Sequence, residues 1–166
     1  NPCVQAAKER MESGTTGKLL AARAFVTWNR QPPYYTESGW RGTLRQEGGG
    51  VLTNQAIHTL DLMRYFGGEI AAISGQITNQ HLRGVIEVED TACVLLQYAS
   101  GAAGIFYATT AYRQNAPVLL ELVCEQETLR LEGRIFIGLR GIALRCCAAK
   151  RSVCPANPTG APATRG

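Results

Sequence analysis

Hydrophobic and polar positions change period several times along this chain, and each change marks an element. From Pro2 to Ser13, Val4, Ala7 and Met11 recur at helical spacing with Lys8, Glu9 and Arg10 between them, until Gly14 and Gly17 end the pattern. Lys18 to Trp28 then alternates: Leu20, Ala22, Ala24, Val26 and Trp28 share one face, Arg23 and Thr27 the other, which predicts a strand. Asn29 to Gly50 has no period and is rich in Pro, Gly, Tyr and Trp. A loop of that length inside a compact domain is functional or disordered, and Tyr34, Tyr35 and Trp40 argue against disorder.

Val51 to Phe66 reads as one continuous helix closed by Gly67-Gly68. The period then returns to two over Ile70 to Thr78, Thr91 to Tyr98, Ala103 to Ala111, Val118 to Cys124 and Thr128 to Leu131, with Ser100-Gly101 as a short turn. Helix, strand, helix and then a run of strands predict an α+β fold: an open, largely antiparallel sheet with helices on one face. No internal repeat is present. From Arg134 the alternation fades, and Pro155 to Gly166 holds almost nothing to bury, so that last stretch reads as disordered.

Composition narrows the function classes. At 166 residues, 45% hydrophobic and 18% charged, the chain is an ordinary globular domain. Its net charge of +4 is scattered, whereas nucleic-acid binding needs basic residues gathered on one surface. No apolar run reaches the roughly 18 residues that span a bilayer. Six cysteines lack zinc spacing: Cys146, Cys147 and Cys154 are crowded, and Cys3, Cys93 and Cys124 stand singly. Incidental thiols in a reducing, cytoplasmic compartment are expected, with no metal, although a site built from His58, His81 and the late cysteines is the metal alternative. A chain that opens on Asn inside a helical pattern reads as a piece of something longer.

The helix from Val51 carries the candidate chemistry. On a wheel, Leu52, Ala56, Leu60, Met63 and Phe66 form a core stripe, and Asn54, His58, Asp61 and Tyr65 fall opposite. Four-residue spacing brings Asn54 and His58 onto adjacent turns. Histidine is the natural base for a hydroxyl proton near neutral pH. Gly48, Gly49 and Gly50 let the backbone approach a ligand and leave free N–H groups at the helix start. Spacing alone more often marks a satisfied structural histidine than a catalytic one.

Trp40-Arg41-Gly42, Gly48-Gly49-Gly50 and the run from Asn54 through His58 to Leu62 together resemble the C-terminal domain of the glucose–fructose oxidoreductase / inositol dehydrogenase (Gfo/Idh/MocA-type) family. The entry at Gly17-Lys18-Leu19 and the segment Val88-Glu89-Asp90-Thr91-Ala92 followed by Ser100-Gly101 agree, so the resemblance covers roughly residues 2 to 133. It divides the chain into an oxidoreductase C-terminal domain, residues 1–133, and a divergent tail, residues 134–166.

The resemblance implies an N-terminal Rossmann domain, missing from this stretch, that holds NAD or NADP. It implies a polyhydroxylated substrate, a sugar, inositol or nucleotide-sugar, and homo-oligomers formed through the open sheet face. His58 matches the family's catalytic acid/base. Asn54 falls where many members carry Asp, and as an amide it positions substrate or imidazole rather than taking a proton. Asp61 is implied as an orienting, substrate-side group, and Tyr35, Trp40 and Arg41 as substrate-binding loop residues. The dinucleotide fingerprint and the family's Glu-Lys-Pro motif are absent from this stretch, so the chain alone is expected to be inactive. The alternative is a non-catalytic sugar-binding or dimerisation module of the same fold.

Overall fold

The computed structural model describes residues 1–139. Helix α1 (Pro2–Glu12) begins where the Asn1 side chain accepts the Cys3 N–H at 3.0 Å, with Pro2 in the first turn, where a missing N–H costs nothing. Strand β1 (Leu19–Thr27) follows, then four short or medium helices: α2 (Pro32–Thr36), α3 (Leu44–Glu47), α4 (Val51–Asn54) and α5 (Ile57–Gly67). The remaining strands are β2 (Ile70–Thr78), β3 (Thr91–Tyr98), β4 (Ala103–Thr109), β5 (Leu119–Cys124), β6 (Thr128–Glu132) and β7 (Ile135–Leu139).

The strands form one open sheet in the order β2-β3-β4-β1-β5-β6-β7. Every pairing is antiparallel except β1 with β4, which runs parallel from Ala21↔Ala103 to Thr27↔Thr109. The sheet is therefore mixed, as expected of a largely antiparallel α+β fold, and its one parallel join sits at the centre. A parallel neighbour needs a crossover, and here that crossover contains α2 to α5 together with β2 and β3.

One face is covered. Ala22, Ala24 and Val26 of β1, Leu96 and Tyr98 of β3, Phe106 and Ala108 of β4, and Leu120 and Leu122 of β5 are buried beneath Met63 and Phe66 of α5 and Val51 of α4. Each such large apolar side chain contributes about 1.5–3 kcal/mol by leaving water. Tyr98 also donates its hydroxyl to the Met63 carbonyl at 3.2 Å, tying strand to helix. At the far edge α1 lies over β6 and β7. There it buries Cys3 and Ala7, while Arg10 pairs with the enclosed Glu127 carboxylate at 2.7 Å.

The opposite face is open. Register places Leu95, Ile105, Arg23, Glu121 and Arg130 side by side across five strands, from β3 to β6. Leu95 and Ile105 are 57% and 51% exposed, so this face presents apolar groups to its surroundings beside an ionic ladder. In that ladder Arg23 pairs with Glu121, Glu121 with Arg130 at 3.2 Å, and Arg130 with Glu132 at 3.0 Å.

Three expectations change. The helix expected over Val51–Phe66 is two, because Ala56 N–H bonds back to the Val51 carbonyl at 2.9 Å, five residues away, and α5 starts afresh from Ala56. The unpatterned loop Asn29–Gly50 contains α2 and α3. Beyond Arg134, where alternation was read as fading, β7 extends the sheet through pairs such as Leu131↔Phe136. The disorder expected over Pro155–Gly166 and the late cysteines lie outside the described residues. Among the described residues, no helix is long and apolar enough to cross a membrane.

Candidate active site

Three carboxylates shape the region around α4. Glu89, in the segment leading into β3, accepts the Gly50 N–H through Oε2 and the Leu52 N–H through Oε1, both at 3.0 Å, while its backbone carbonyl takes the Val51 N–H at 2.9 Å. The N–H groups expected to be free at this helix start are thus committed. Gly50 is required for that embrace: a Cβ there would lie 1.9 Å from the Glu89 carbonyl oxygen. The close approach that the glycine run permits is to the protein's own backbone.

Glu47, at the end of α3, does a related job. One carboxylate oxygen accepts the Gly42 N–H and the other accepts the Asn54 side-chain amide. One N–H of the asparagine amide is therefore spent on Glu47, which leaves its second N–H to donate and its carbonyl oxygen to accept. The third carboxylate, Asp90, is 1% exposed and accepts the His81 and Leu82 N–H groups at 2.7 and 2.9 Å, folding residues 79–90 back over the loop. Glu87 caps α3 by accepting the Leu44 N–H at 2.9 Å.

His58 stands in the first turn of α5 and is exposed, with Asp61 one turn further along. Both line an open groove of about 550 Å³ whose floor is Leu60, Ile70, Ile73 and Leu96. Among the described residues neither side chain is hydrogen-bonded. Asn54 and His58 stand on separate helices, the chain breaking between α4 and α5, and no hydrogen bond joins them among the described residues. Asn54 instead belongs to the Glu47 clamp, immediately before the turn that delivers His58.

The loop residues divide. Tyr35, expected on the substrate side, is turned inward: it is 4% exposed and packs with Leu82, Ile86 and Val88 in a small second core. Burial pushes its hydroxyl pKa up, opposed by a hydrogen bond with Thr110. It anchors the loop. Trp40 is 42% exposed, and Arg41 lies 4.9 Å from its ring centre and 4.4 Å from that of Tyr34. Glu47, Glu89 and Asp90 were missed as site-building residues. Glu89 and Asp90 lie in the Val88–Ala92 segment that carried the resemblance, but nothing there gave them a role, and Glu47 stands only beside the glycine run.

No group of three or more metal-ligating side chains gathers among the described residues. The N–H groups of Gly50, Val51 and Leu52, behind the glycine run, are committed to Glu89 and not open to a phosphate.

Comparison with known proteins agrees with this architecture. The WlbA dehydrogenase from Bordetella pertussis, solved with NADH and UDP-GlcNAcA, superimposes with a TM-score of 0.75 at 30% identity, over 80% of this chain and 41% of that one. Levoglucosan dehydrogenase, solved with NADH and levoglucosan, shares the fold with a TM-score of 0.74 at 24% identity, over 82% and 40%. In sequence, scyllo-inositol 2-dehydrogenase (NAD(+)) of Bacillus subtilis strain 168 is 28% identical over 141 residues, 83% of this chain. Levoglucosan dehydrogenase of Pseudarthrobacter phenanthrenivorans is 25% identical over 145 residues, 73% of this chain. The chain spans 37% of the length of each of these two relatives. These relatives are dehydrogenases, and NAD(H) is their family's cofactor. The model of the GFO/IDH/MocA C-terminal domain matches residues 4–130, and by that match this chain belongs to the GFO/IDH/MocA family.

Proposed function

We propose that this chain is the substrate-side domain of an NAD(P)-dependent dehydrogenase acting on a hydroxyl of a sugar, inositol or nucleotide-sugar. One observation carries the reading. Within a family of dehydrogenases, His58, which the sequence resemblance aligns with the family's acid/base, is exposed at the start of α5, on the rim of a groove, with no protein partner occupying it among the described residues. An unpartnered, solvent-facing imidazole is free to take the hydroxyl proton as the carbon is oxidised, and to return it in reduction.

Asn54, its amide held by Glu47, offers a carbonyl acceptor to a substrate hydroxyl. Asp61 lies on the same groove wall as His58, and Trp40 and Arg41 supply an aromatic face and a cation to a polyol. In this reading a separate nicotinamide-binding domain holds the cofactor, and this chain supplies the proton side of the reaction and is inactive alone. The open sheet face, with Leu95 and Ile105 exposed, packs against a second copy. Such a protein works in the cytoplasm, where the thiols of Cys93 and Cys124 stay reduced.

The test is His58→Ala in a protein that joins this chain to a nicotinamide-binding domain. Loss of a general base lowers kcat by about 10²–10⁴-fold and leaves polyol binding largely intact. Turnover close to that of the parent would remove His58 from the chemistry and favour the sugar-binding or dimerisation module.

A further inference from the structure

Five side chains of the loop after β1 form a continuous stack outside the His58 groove. The Arg30 guanidinium carbon lies 5.1 Å from the ring centre of Trp28 and 5.1 Å from that of Tyr34. The Arg41 carbon lies 4.4 Å from Tyr34 and 4.9 Å from Trp40. The order is Trp28, Arg30, Tyr34, Arg41, Trp40, so two cations share one central ring. Backbone pairing fixes the base of the stack: Trp28 N–H bonds to the Thr109 carbonyl and Arg30 N–H to the Thr110 carbonyl, both at 2.9 Å.

Among the described residues the two cations lack counter-charges. Arg10 and Arg23, both more exposed, each pair with a carboxylate, Glu127 and Glu121 respectively, and Arg130 pairs with two. Arg30 and Arg41 are half-buried and have no carboxylate partner among the described residues. The Nε of each is buried without a hydrogen-bond acceptor. Their other bonds go only to neutral oxygens: Arg30 Nη1 to the Asn29 carbonyl at 2.7 Å and Asn115 Oδ1 at 3.1 Å, and Arg41 Nη1 to the Tyr34 carbonyl at 3.5 Å. The nearby carboxylate of Glu47 is already shared between Gly42 and Asn54.

Partly desolvating a charge without a partner is costly, and stacking on aromatic faces offsets only about 0.5–2 kcal/mol per contact. A guanidinium held flat by rings is also pre-shaped for bidentate binding of a phosphate or carboxylate. We propose that Arg30 and Arg41 form an oxyanion subsite, so that the substrate carries a phosphate, diphosphate or carboxylate group in addition to its reacting hydroxyl. This narrows the substrate class of the dehydrogenase reading and rests on that reading for the hydroxyl chemistry, whereas anion binding itself is independent of turnover.

The chain supplies its own reporter, because its only two tryptophans, Trp28 and Trp40, end the stack. Intrinsic fluorescence of the full 166-residue chain is followed while inorganic pyrophosphate, glucuronate or glucose is added at fixed ionic strength. The expected result is a saturable change with pyrophosphate or glucuronate, weakening as salt rises, and none with glucose. The stronger of the two anions distinguishes a phosphate-bearing from a carboxylate-bearing substrate. Arg30→Lys and Arg41→Lys keep the charge but lose the planar fork, and each weakens binding by at least about tenfold. Arg45→Lys, on the exposed surface of α3, changes nothing, and melting curves establish that each variant is folded. Absence of saturation with both anions, an equal response to glucose, or undiminished binding in both lysine variants overturns the subsite. Anion binding that survives while His58→Ala leaves turnover normal would remove the catalytic reading and keep the subsite.

Discussion

The side-chain amide of Asn54 donates to the carboxylate of Glu47, and that one bond fixes which end of the asparagine faces outward. It also accounts for an amide where the sequence resemblance implies Asp in many members. An aspartate would set two carboxylates against each other. Asn54→Asp is therefore expected to destabilise the chain by about 1–3 kcal/mol, while Asn54→Asp combined with Glu47→Gln recovers most of the loss. Chemical denaturation of the two single variants and the double variant checks this. Simple additivity would show that the two side chains are not coupled.

Gly50 and Gly14 offer a matched pair of alanine substitutions. A Cβ on Gly50 meets the Glu89 backbone, which has no flexible side chain to yield, whereas a Cβ on Gly14 meets nothing within 4 Å. Gly14→Ala suffers only its left-handed φ of 73°, about 1 kcal/mol. Gly50→Ala is expected to cost at least the ~1–3 kcal/mol typical of overpacking and to free the Leu52 N–H from Glu89. Thermal melts rank the two, and amide hydrogen exchange at Leu52 reports the opened clamp.

Alkaline pH is expected to weaken the fold. Burial raises the pKa of the Tyr98 hydroxyl and of the Tyr35 hydroxyl above the ordinary 10.0. Around and above pH 10 the unfolded chain releases these protons while the folded chain keeps them. The folded state then binds more protons, and stability falls as pH rises through that window. Below it the contribution is complete. Tyr98→Phe should lose about 1 kcal/mol at neutral pH with its bond to Met63 but show a shallower decline between about pH 9 and 11. An unchanged slope of Tm against pH would remove Tyr98 as a cause.

The proposed self-association through the open sheet face makes two residues diagnostic. Cys93 lies exposed on that face beside Tyr107, its partner in register. Alkylation of Cys93 should be slow at high protein concentration and speed up on dilution. Ile105→Glu should shift gel filtration toward the monomer without lowering Tm. Concentration-independent labelling together with an unchanged elution volume would mean that the face stays uncovered.

Much of the sheet was legible in the period of the sequence. Alternation in Ala22, Ala24 and Val26, and again in Leu120, Leu122 and Cys124, marked the buried face, although Leu20, read onto the same face, is 51% exposed where the register shifts between Leu19 and Ala21. The wheel likewise marked Ala56, Met63 and Phe66 as core. It failed on continuity, since the break before Ile57 accompanies the pinning of α4 by Glu89, more than thirty residues distant, to which a local period is blind. Strand β7 was missed because Gly138 interrupts a five-residue pattern that needs its ladder with β6 to become a strand. Glu47, Glu89 and Asp90 were missed for a common reason. Each accepts backbone N–H groups, and those partners leave no mark on side-chain patterning. His58, Trp40 and Arg41 were singled out by motif, and what only coordinates could add was that Tyr35 faces inward and that Arg30 joins Arg41.

The parallel join of β1 to β4 also governs when the chain can fold. β1 lies at the sheet's centre, yet both of its neighbours, β4 and β5, come from the last third of the described residues. At ordinary translation rates β1 would wait on the order of ten seconds at the ribosome before Ala103 emerges to meet Ala21. Nothing can complete the sheet earlier, since β2 and β3 reach β1 only through β4. Contacts of such long sequence separation make for slow folding, so a nascent chain halted before Thr109 would display the alternating apolar face of β1 with no strand to take it, a natural client for a chaperone.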